Sequence, residues 1–345
     1  MKSFTLTLGT ILCLSACAKP ASTIPVMTEA PVELEISAAD GETLAATWWP
    51  ADGEGPGLIL LGVAGPNDRR LAFGDLAPFE ALAEALSEAG IHVLAFDDRG
   101  VGGSGGDWTA VDFEAMGRDA AAAAQILARQ PGVDENRIGF FGLSEGSGVA
   151  LHAVAEGYGD FVILGSPPGL PGEAALRTRL EAALDAQGAS DVMRAEYMAA
   201  FETFAALSRA GDREGLEAFL SGPGAALVPA YGFIPPDPAS QANLFVSPWH
   251  VAQLDYDPRL LMPQINVPVL ILGGGLDPVL DPAMNHPPLV AGLPDAVAVV
   301  IPDANHLLIP AGTGSPVEYS TPTEDLHPEV PAAILDWMRS EGLLD

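Results

Sequence analysis

Three stretches of the chain hold residues able to make and break a covalent bond: Ser144 in "GLSEGS" (142–147), Asp277 in "GGGLDPV" (273–279) and His306 in "ANHLL" (304–308). A serine hydroxyl is a weak nucleophile until an imidazole takes its proton and a carboxylate orients that imidazole. The pattern G-x-S-x-G selects poorly in a chain with 38 glycines, and "VGGSGGD" gives Ser104 the same pattern. Context separates the two. Ser144 directly follows the apolar run "RIGFFGL" and precedes good helix-forming residues, so the segment reads as strand, sharp turn and helix. Glycines at 142 and 146 are what a strained turn and a close strand–helix approach require. Ser104 lies in a glycine run with no strand immediately before it.

The elements that must position these residues follow from the apolar pattern. "VELEISA" and "ETLAATWWPA" alternate apolar and polar residues around a turn at Asp40-Gly41, predicting an antiparallel hairpin at a sheet edge. "GLILLGV", "IHVLAFD", "RIGFFGL", "FVILGS", "VPVLILGG" and "AVAVVIP" are short continuous apolar runs, the signature of strands buried on both faces. Helical patterns separate most of them, which predicts an α/β fold: a mostly parallel central sheet with helices on both faces. Between "FVILGS" and "VPVLILGG" about 100 residues show helices and proline-rich loops but no strand, and a loop of that length is improbable in a compact domain. This stretch is expected to be an inserted helical cap. The boundaries expected are a leader at 1–16, a tether at 17–31, the core at 32–168 and 263–345, and the cap at 169–262.

In the α/β-hydrolase fold, which this strand–turn–helix elbow implies, the order along the chain is nucleophile, acid, histidine. Asp277 sits just past a late strand, with Asp281 four residues on as the alternative acid; His306 sits in the loop after the last strand. The other histidines fit less well: His92 falls in a strand, His152 on the elbow helix, His250 in the cap region, and His286 and His327 beside prolines in loops. Acyl transfer also needs N–H donors aimed at the developing oxyanion. One is the backbone N–H of Glu145; the other belongs to the loop "LLGVAGPNDRR", with Gly65 the first choice and Ala64 the alternative, since Pro66 cannot donate. Asp68 with Arg69 and Asp98 with Arg99 read as charges that fix their own loops rather than bind substrate.

The ordered set "AGPNDRR", "DDRGVGGSGGD", "GLSEGS", "SPWHVAQLDYDP", "GGGLDPV" and "ANHLLIPAGTGSPVEY" resembles a branch of bacterial α/β-hydrolase esterases, related to the catalytic domains of prolyl-oligopeptidase-type peptidases and acyl-CoA thioesterases. The resemblance runs from about residue 32 to the C-terminus. It implies hydrolysis of a small-molecule carboxylic ester, with Ser144, Asp277 and His306 as the triad. Val63 and Ala64 replace the Gly and Ser usual in that branch's oxyanion loop, a departure that bears on substrate range. A peptidase or thioesterase on the same triad, and a binding lipoprotein that keeps the fold without turnover, are the alternatives. There is no metal-ligand spacing, phosphate loop or dinucleotide fingerprint, so no cofactor is expected. In the cap, Leu176, Leu180 and Leu184 recur every four residues before Gly188; a second helix after Ser190 or Asp191 shows Met193, Tyr197, Phe201, Phe204 and Leu207 on one face before Gly211; a third from Asp212 carries Leu216, Phe219 and Leu220. If this cap covers the strand ends, aromatic and Met side chains facing the opening would favour uncharged acyl groups over anionic ones.

The N-terminus adds a location. "MKSFTLTLGTILCLSAC" has one charge at Lys2 and an apolar run too short to span a bilayer, and Leu14-Ser15-Ala16-Cys17 resembles the bacterial lipoprotein cleavage box. Cys17 is therefore the expected lipidation site, with the chain held on the periplasmic side of the envelope. Only Cys13 and Cys17 are present, so no disulfide is expected in the mature domain. A formal charge of −31 excludes nucleic acid and anionic headgroups as electrostatic partners, leaving the N-terminal lipid as the membrane attachment.

Overall fold

The computed structural model describes residues 30–230, 235–315, 318–319 and 324–345. The leader and the lipidation expected at Cys17 lie outside the described residues. Eight strands form one sheet: β1 (Val32–Ser37), β2 (Thr43–Trp49), β3 (Gly55–Leu61), β4 (His92–Phe96), β5 (Val133–Leu143), β6 (Phe161–Gly165), β7 (Val269–Gly274) and β8 (Val297–Ile301), in the order β1-β2-β4-β3-β5-β6-β7-β8. β1 and β2 pair antiparallel, as does β2 with β4, and every other pairing is parallel. This is the α/β-hydrolase topology expected.

Strand periodicity sends alternate side chains to two separate cores. On β3, Ile59 and Leu61 join one core while Leu58 and Leu60 join the other; on β6, Val162 and Leu164 part from Phe161 and Ile163 in the same way. The helices α2 (Phe113–Leu127) and α3 (Glu145–Ala155) cover the first face, and α1 (Pro78–Glu88) and the C-terminal helix (Glu329–Ser340) cover the second. β8 departs from the expectation of a strand buried on both faces. It is the edge of the sheet, and Val297 and Val300 remain 40% and 46% exposed.

Between β6 and β7 the described residues form helices: α4 (Gly172–Ala186), α5 (Asp191–Ala210), α6 (Arg213–Leu220), α7 (Pro238–Phe245), α8 (Pro248–Asp255) and α9 (Pro258–Leu261). Their ends follow the polar punctuation. Ser190 caps α5 by accepting from the Met193 N–H, Gly211 closes it at φ 64°, and Asp212 caps α6 through the Gly215 N–H. These helices have their own core of Phe201, Phe204, Leu216, Leu220, Phe245 and Trp249. After β7, α10 (Pro282–Gly292) carries Pro287 and Pro288 inside it, so His286 lies buried on a helix rather than in a loop. α11 (Glu329–Ser340) ends the fold. Among the described residues no helix is long and apolar enough to cross a membrane.

Candidate active site

β5 ends at Leu143 and α3 begins at Glu145, so Ser144 alone makes the turn, at φ 56° and ψ −116°. A non-glycine residue pays strain for positive φ, and the surroundings hold it there. The Ser144 N–H donates to the Gly165 carbonyl (2.8 Å) and the Gly146 N–H to the Gly62 carbonyl (2.9 Å). Both elbow glycines are sterically required: a Cβ on Gly142 would strike the Gly146 carbonyl, and one on Gly146 would strike the carbonyls of Leu61 and Gly62. Ser104 does something else. Its Oγ accepts from the Ala45 N–H (2.9 Å) and donates to the Asp97 carbonyl (2.7 Å), stitching a loop to β2.

His306 and Asp277 converge on Ser144. Ser144 Oγ and His306 Nε2 are 3.0 Å apart, and His306 Nδ1 is 2.8 Å from Asp277 Oδ2; all three residues are buried. The other Asp277 oxygen accepts the N–H groups of Val279 (2.7 Å) and Leu280 (2.9 Å). Burial pushes the Asp277 carboxyl up, but the hydrogen bond and charge of His306 and these two amides outweigh it and hold the group below its ordinary value, hence ionised. Asp281, the alternative acid, instead caps α10 through the Ala283 N–H (2.8 Å). The remaining histidines serve elsewhere: His92 accepts from the Ala51 N–H and stacks on Trp48, His327 meets Asp303, and His152 packs on Phe113. His250, on α8, lines the cavity above Ser144, and burial lowers its pKa to about 4, so it stays neutral.

That cavity, about 360 Å³, is bounded by Val63, Ala64, Phe73, Phe113, Ser144, Glu145, His306 and Leu307 from the core, and by α4 and α8 from the helical segment. Ala64 belongs to the wall with Val63; Gly65 does not, and at φ 95° it turns its carbonyl to Asn67 Nδ2 (2.7 Å). Ala64 and Gly65 both stand as candidates for the second donor beside Glu145, and Ala64 is the one on the wall. The Glu145 N–H is the first of α3 and has no carbonyl within the helix to accept it, which leaves it available at the positive end of the helix dipole.

Two features of this site were not legible in the motifs. Asn67 clamps the oxyanion loop: its side-chain amide donates to the Val63 and Gly65 carbonyls, while Asp98 Oδ2 accepts from the Asn67 backbone (2.8 Å) and side chain (3.1 Å). Burial pushes Asp98 up to about 7 against those two hydrogen bonds. The second is Glu145, whose carboxyl accepts the Trp249 indole N–H at 3.1 Å to each oxygen, tying α8 to the elbow. Burial drives that carboxyl well above its ordinary value, with the Trp249 hydrogen bond opposing and Asp98 adding to the rise. Asp68 fixes its own loop by accepting the Arg70 and Ala72 N–H groups, whereas the two arginines pair across loops. Arg69 binds Asp97 and Glu33, and Arg99 binds Asp119 and Asp40.

Phe201 and Phe204, expected to face the opening, are 6% and 4% exposed inside the helical core and do not line the cavity. The apolar wall comes instead from Leu176, Trp249, Val279, Leu280 and Tyr319 with the core residues above. Among the described residues no group of His, Cys, Asp and Glu could hold a metal ion.

Comparison with known proteins agrees with this geometry at the level of the fold. Residues 76–191, which include the elbow but neither Asp277 nor His306, match the family model "Serine aminopeptidase, S33". The chain is 32% identical over 138 residues to an uncharacterised protein of Mycobacterium tuberculosis, covering 39% of this chain and 45% of that one. It is 33% identical over 137 residues to a polyketide transferase of Gibberella fujikuroi, 39% of each. A longer match, 25% identical over 270 residues, covers 76% of this chain and 57% of the esterase EstD of Thermotoga maritima. The chain thus spans less than half the length of the first two relatives. Among solved structures, an esterase of Pyrococcus furiosus superposes with a TM-score of 0.54 at 18% identity, covering 91% of both chains. With its sheet order, its elbow and these matches, the chain has the α/β-hydrolase fold.

Proposed function

We propose that the chain is a serine hydrolase that cleaves carboxylic esters of small molecules through an acyl-enzyme. The observation that carries this reading is the unbroken relay from Asp277 through His306 to Ser144 Oγ, with spacings of 2.8 and 3.0 Å. In the first half-reaction Ser144 Oγ attacks the ester carbonyl carbon as His306 Nε2 takes the hydroxyl proton. The carbonyl oxygen gains the negative charge and is met by the N–H groups of Glu145 and Ala64. Collapse expels the alcohol, which receives the proton from His306. Water then repeats the sequence on the acyl-Ser144 ester, releasing the acid and restoring the hydroxyl. Ionised Asp277 keeps Nδ1 protonated, so that Nε2 faces Ser144 as an acceptor.

The match to a serine aminopeptidase model is the observation that favours a peptidase. An aminopeptidase must hold its substrate's α-ammonium with an anion, and among the described residues the cavity wall offers one acid, Glu145, whose two oxygens already accept the Trp249 indole N–H. A thioesterase or acyl transferase would use the same chemistry, and the polyketide transferase relative supports that second reading. Hydrolysis of a panel of nitrophenyl esters, thioesters and peptide amides by the domain from residue 18 onward distinguishes the three. Ester turnover well above amide turnover is expected, and the reverse would overturn the esterase reading.

The same proposal includes attachment to the bacterial envelope, on its periplasmic side, through lipid at Cys17. Its support is the Leu14-Ser15-Ala16-Cys17 box. Incorporation of radiolabelled palmitate should disappear in Cys17→Ala, and incorporation that survives the substitution would rule out this anchor.

A further inference from the structure

The helix α4 presents Gly172, Ala175, Leu176 and Arg179 to the cavity. These positions, i, i+3, i+4 and i+7, lie along one face of the helix. The first three are small or apolar; Arg179 ends the row as an exposed cation. Most arginines in this chain are bound to acids. Eleven of the 13 make an ion pair, as expected where 46 acidic residues compete for them. Among the described residues Arg129 and Arg179 find no such partner, and of these only Arg179 lines the cavity. Arg177, two residues earlier on another face of the same helix, shows the contrast: it pairs with Glu173 and Glu202 and lies over the Phe201 ring.

A second observation is independent of the first. The chain carries a formal charge of −31, yet among the described residues the one acid on the cavity wall, Glu145, is bonded by the Trp249 indole inside the protein. The cavity therefore holds a cation with no carboxylate within ion-pairing distance among the described residues. The planar guanidinium suits a carboxylate, which it can bind through two parallel N–H bonds.

We propose that Arg179 determines specificity: the substrate is an ester that carries a carboxylate on the part remote from the scissile bond, and Arg179 pairs with that carboxylate. This rests on the esterase reading and names its substrate class. It reverses the preference for uncharged esters inferred from the sequence, because that preference assumed Phe201 and Phe204 at the cavity wall, where neither stands. The acid-rich surface repels anions from a distance, so the informative quantity is a ratio in which this background cancels.

The test compares kcat/KM for wild type, Arg179→Gln and Arg179→Glu on two matched pairs. p-Nitrophenyl hexanoate and mono-p-nitrophenyl adipate differ by a carboxylate on the acyl side; phenyl acetate and 4-acetoxybenzoate differ by one on the alcohol side. In one of the two pairs the charged-to-neutral ratio should fall about two- to fivefold in Arg179→Gln and about tenfold or more in Arg179→Glu, mainly through KM. Which pair responds says which side of the ester meets α4. A ratio that is the same in all three proteins for both pairs would overturn the proposal. Failure of the underlying reading looks different: the wild type would hydrolyse neither neutral ester.

Discussion

The elbow and the helical segment above it are built on opposite principles. At the elbow the backbone is the functional part: Ser144 is held at positive φ, and Gly142 and Gly146 exist so that carbonyls and amides can approach where no Cβ fits. In α4–α9 the backbone is ordinary helix, and everything that matters for a ligand depends on which side chains turn inward. Phe201 and Phe204 pack on Leu216 and Phe245, whereas Leu176, Arg179 and Trp249 reach the cavity. The difference teaches where tolerance should lie. Changes at the elbow should abolish the reaction, while changes on the helical wall should redirect it.

The largest effects test the first half of that contrast. Ser144→Ala and His306→Ala should each lower kcat/KM by about 10⁴-fold or more, and Asp277→Asn by about 10⁴-fold, in steady-state ester hydrolysis. Ser104→Ala should stay within a few-fold of wild type, because that hydroxyl only joins a loop to β2. Next come two packing tests by denaturant unfolding. Phe204→Ala removes a ring buried in the helical core and should cost about 3–5 kcal/mol. Gly146→Ala should cost about 2–3 kcal/mol and most of the activity, since its methyl meets backbone carbonyls that cannot move aside.

A smaller effect sharpens the second half. Leu176→Phe adds volume to the cavity wall and should shift acyl-chain preference toward shorter chains by about tenfold, read as the ratio of kcat/KM for nitrophenyl hexanoate over acetate. The last concerns Asp98, away from the reacting atoms, whose folded pKa of about 7 lies above the ordinary carboxylate value. The folded chain then keeps a proton that the unfolded chain has lost, so stability falls as pH rises from about 4 to 7 and is level above that window. Asp98→Asn should flatten this slope by up to about 1.4 kcal/mol per pH unit, measured as unfolding free energy across the window.

How far the sequence reveals these regions depends on the range of the forces that shape them. The elbow was legible because its requirements are local: a strand, two glycines and a helix within ten residues. The buried strands were legible from apolar runs, but the exposure of β8 was not, since its edge position follows from the absence of a ninth neighbour among the described residues. Pro287 and Pro288 concealed α10, because proline in a helix interior argues against a helix unless tertiary packing supports it. Helical periodicity placed Phe201 and Phe204 on one face correctly, yet could not say that the face meets α6 and α7 instead of the cavity. The shape of the loop carrying Ala64 and Gly65 turns on Asn67 and Asp98, and Asp98 is more than thirty residues away from the Asn67 it holds.

The central claim is that Ser144 is a nucleophile activated by His306 and Asp277, and covalent labelling tests it most directly. Treated with a fluorophosphonate, the protein should gain one adduct, located by peptide mass spectrometry on the segment carrying Ser144. Labelling should be absent in Ser144→Ala and strongly slowed in Asp277→Asn. An adduct on Ser104, or ester hydrolysis that continues undiminished in Ser144→Ala, would contradict it.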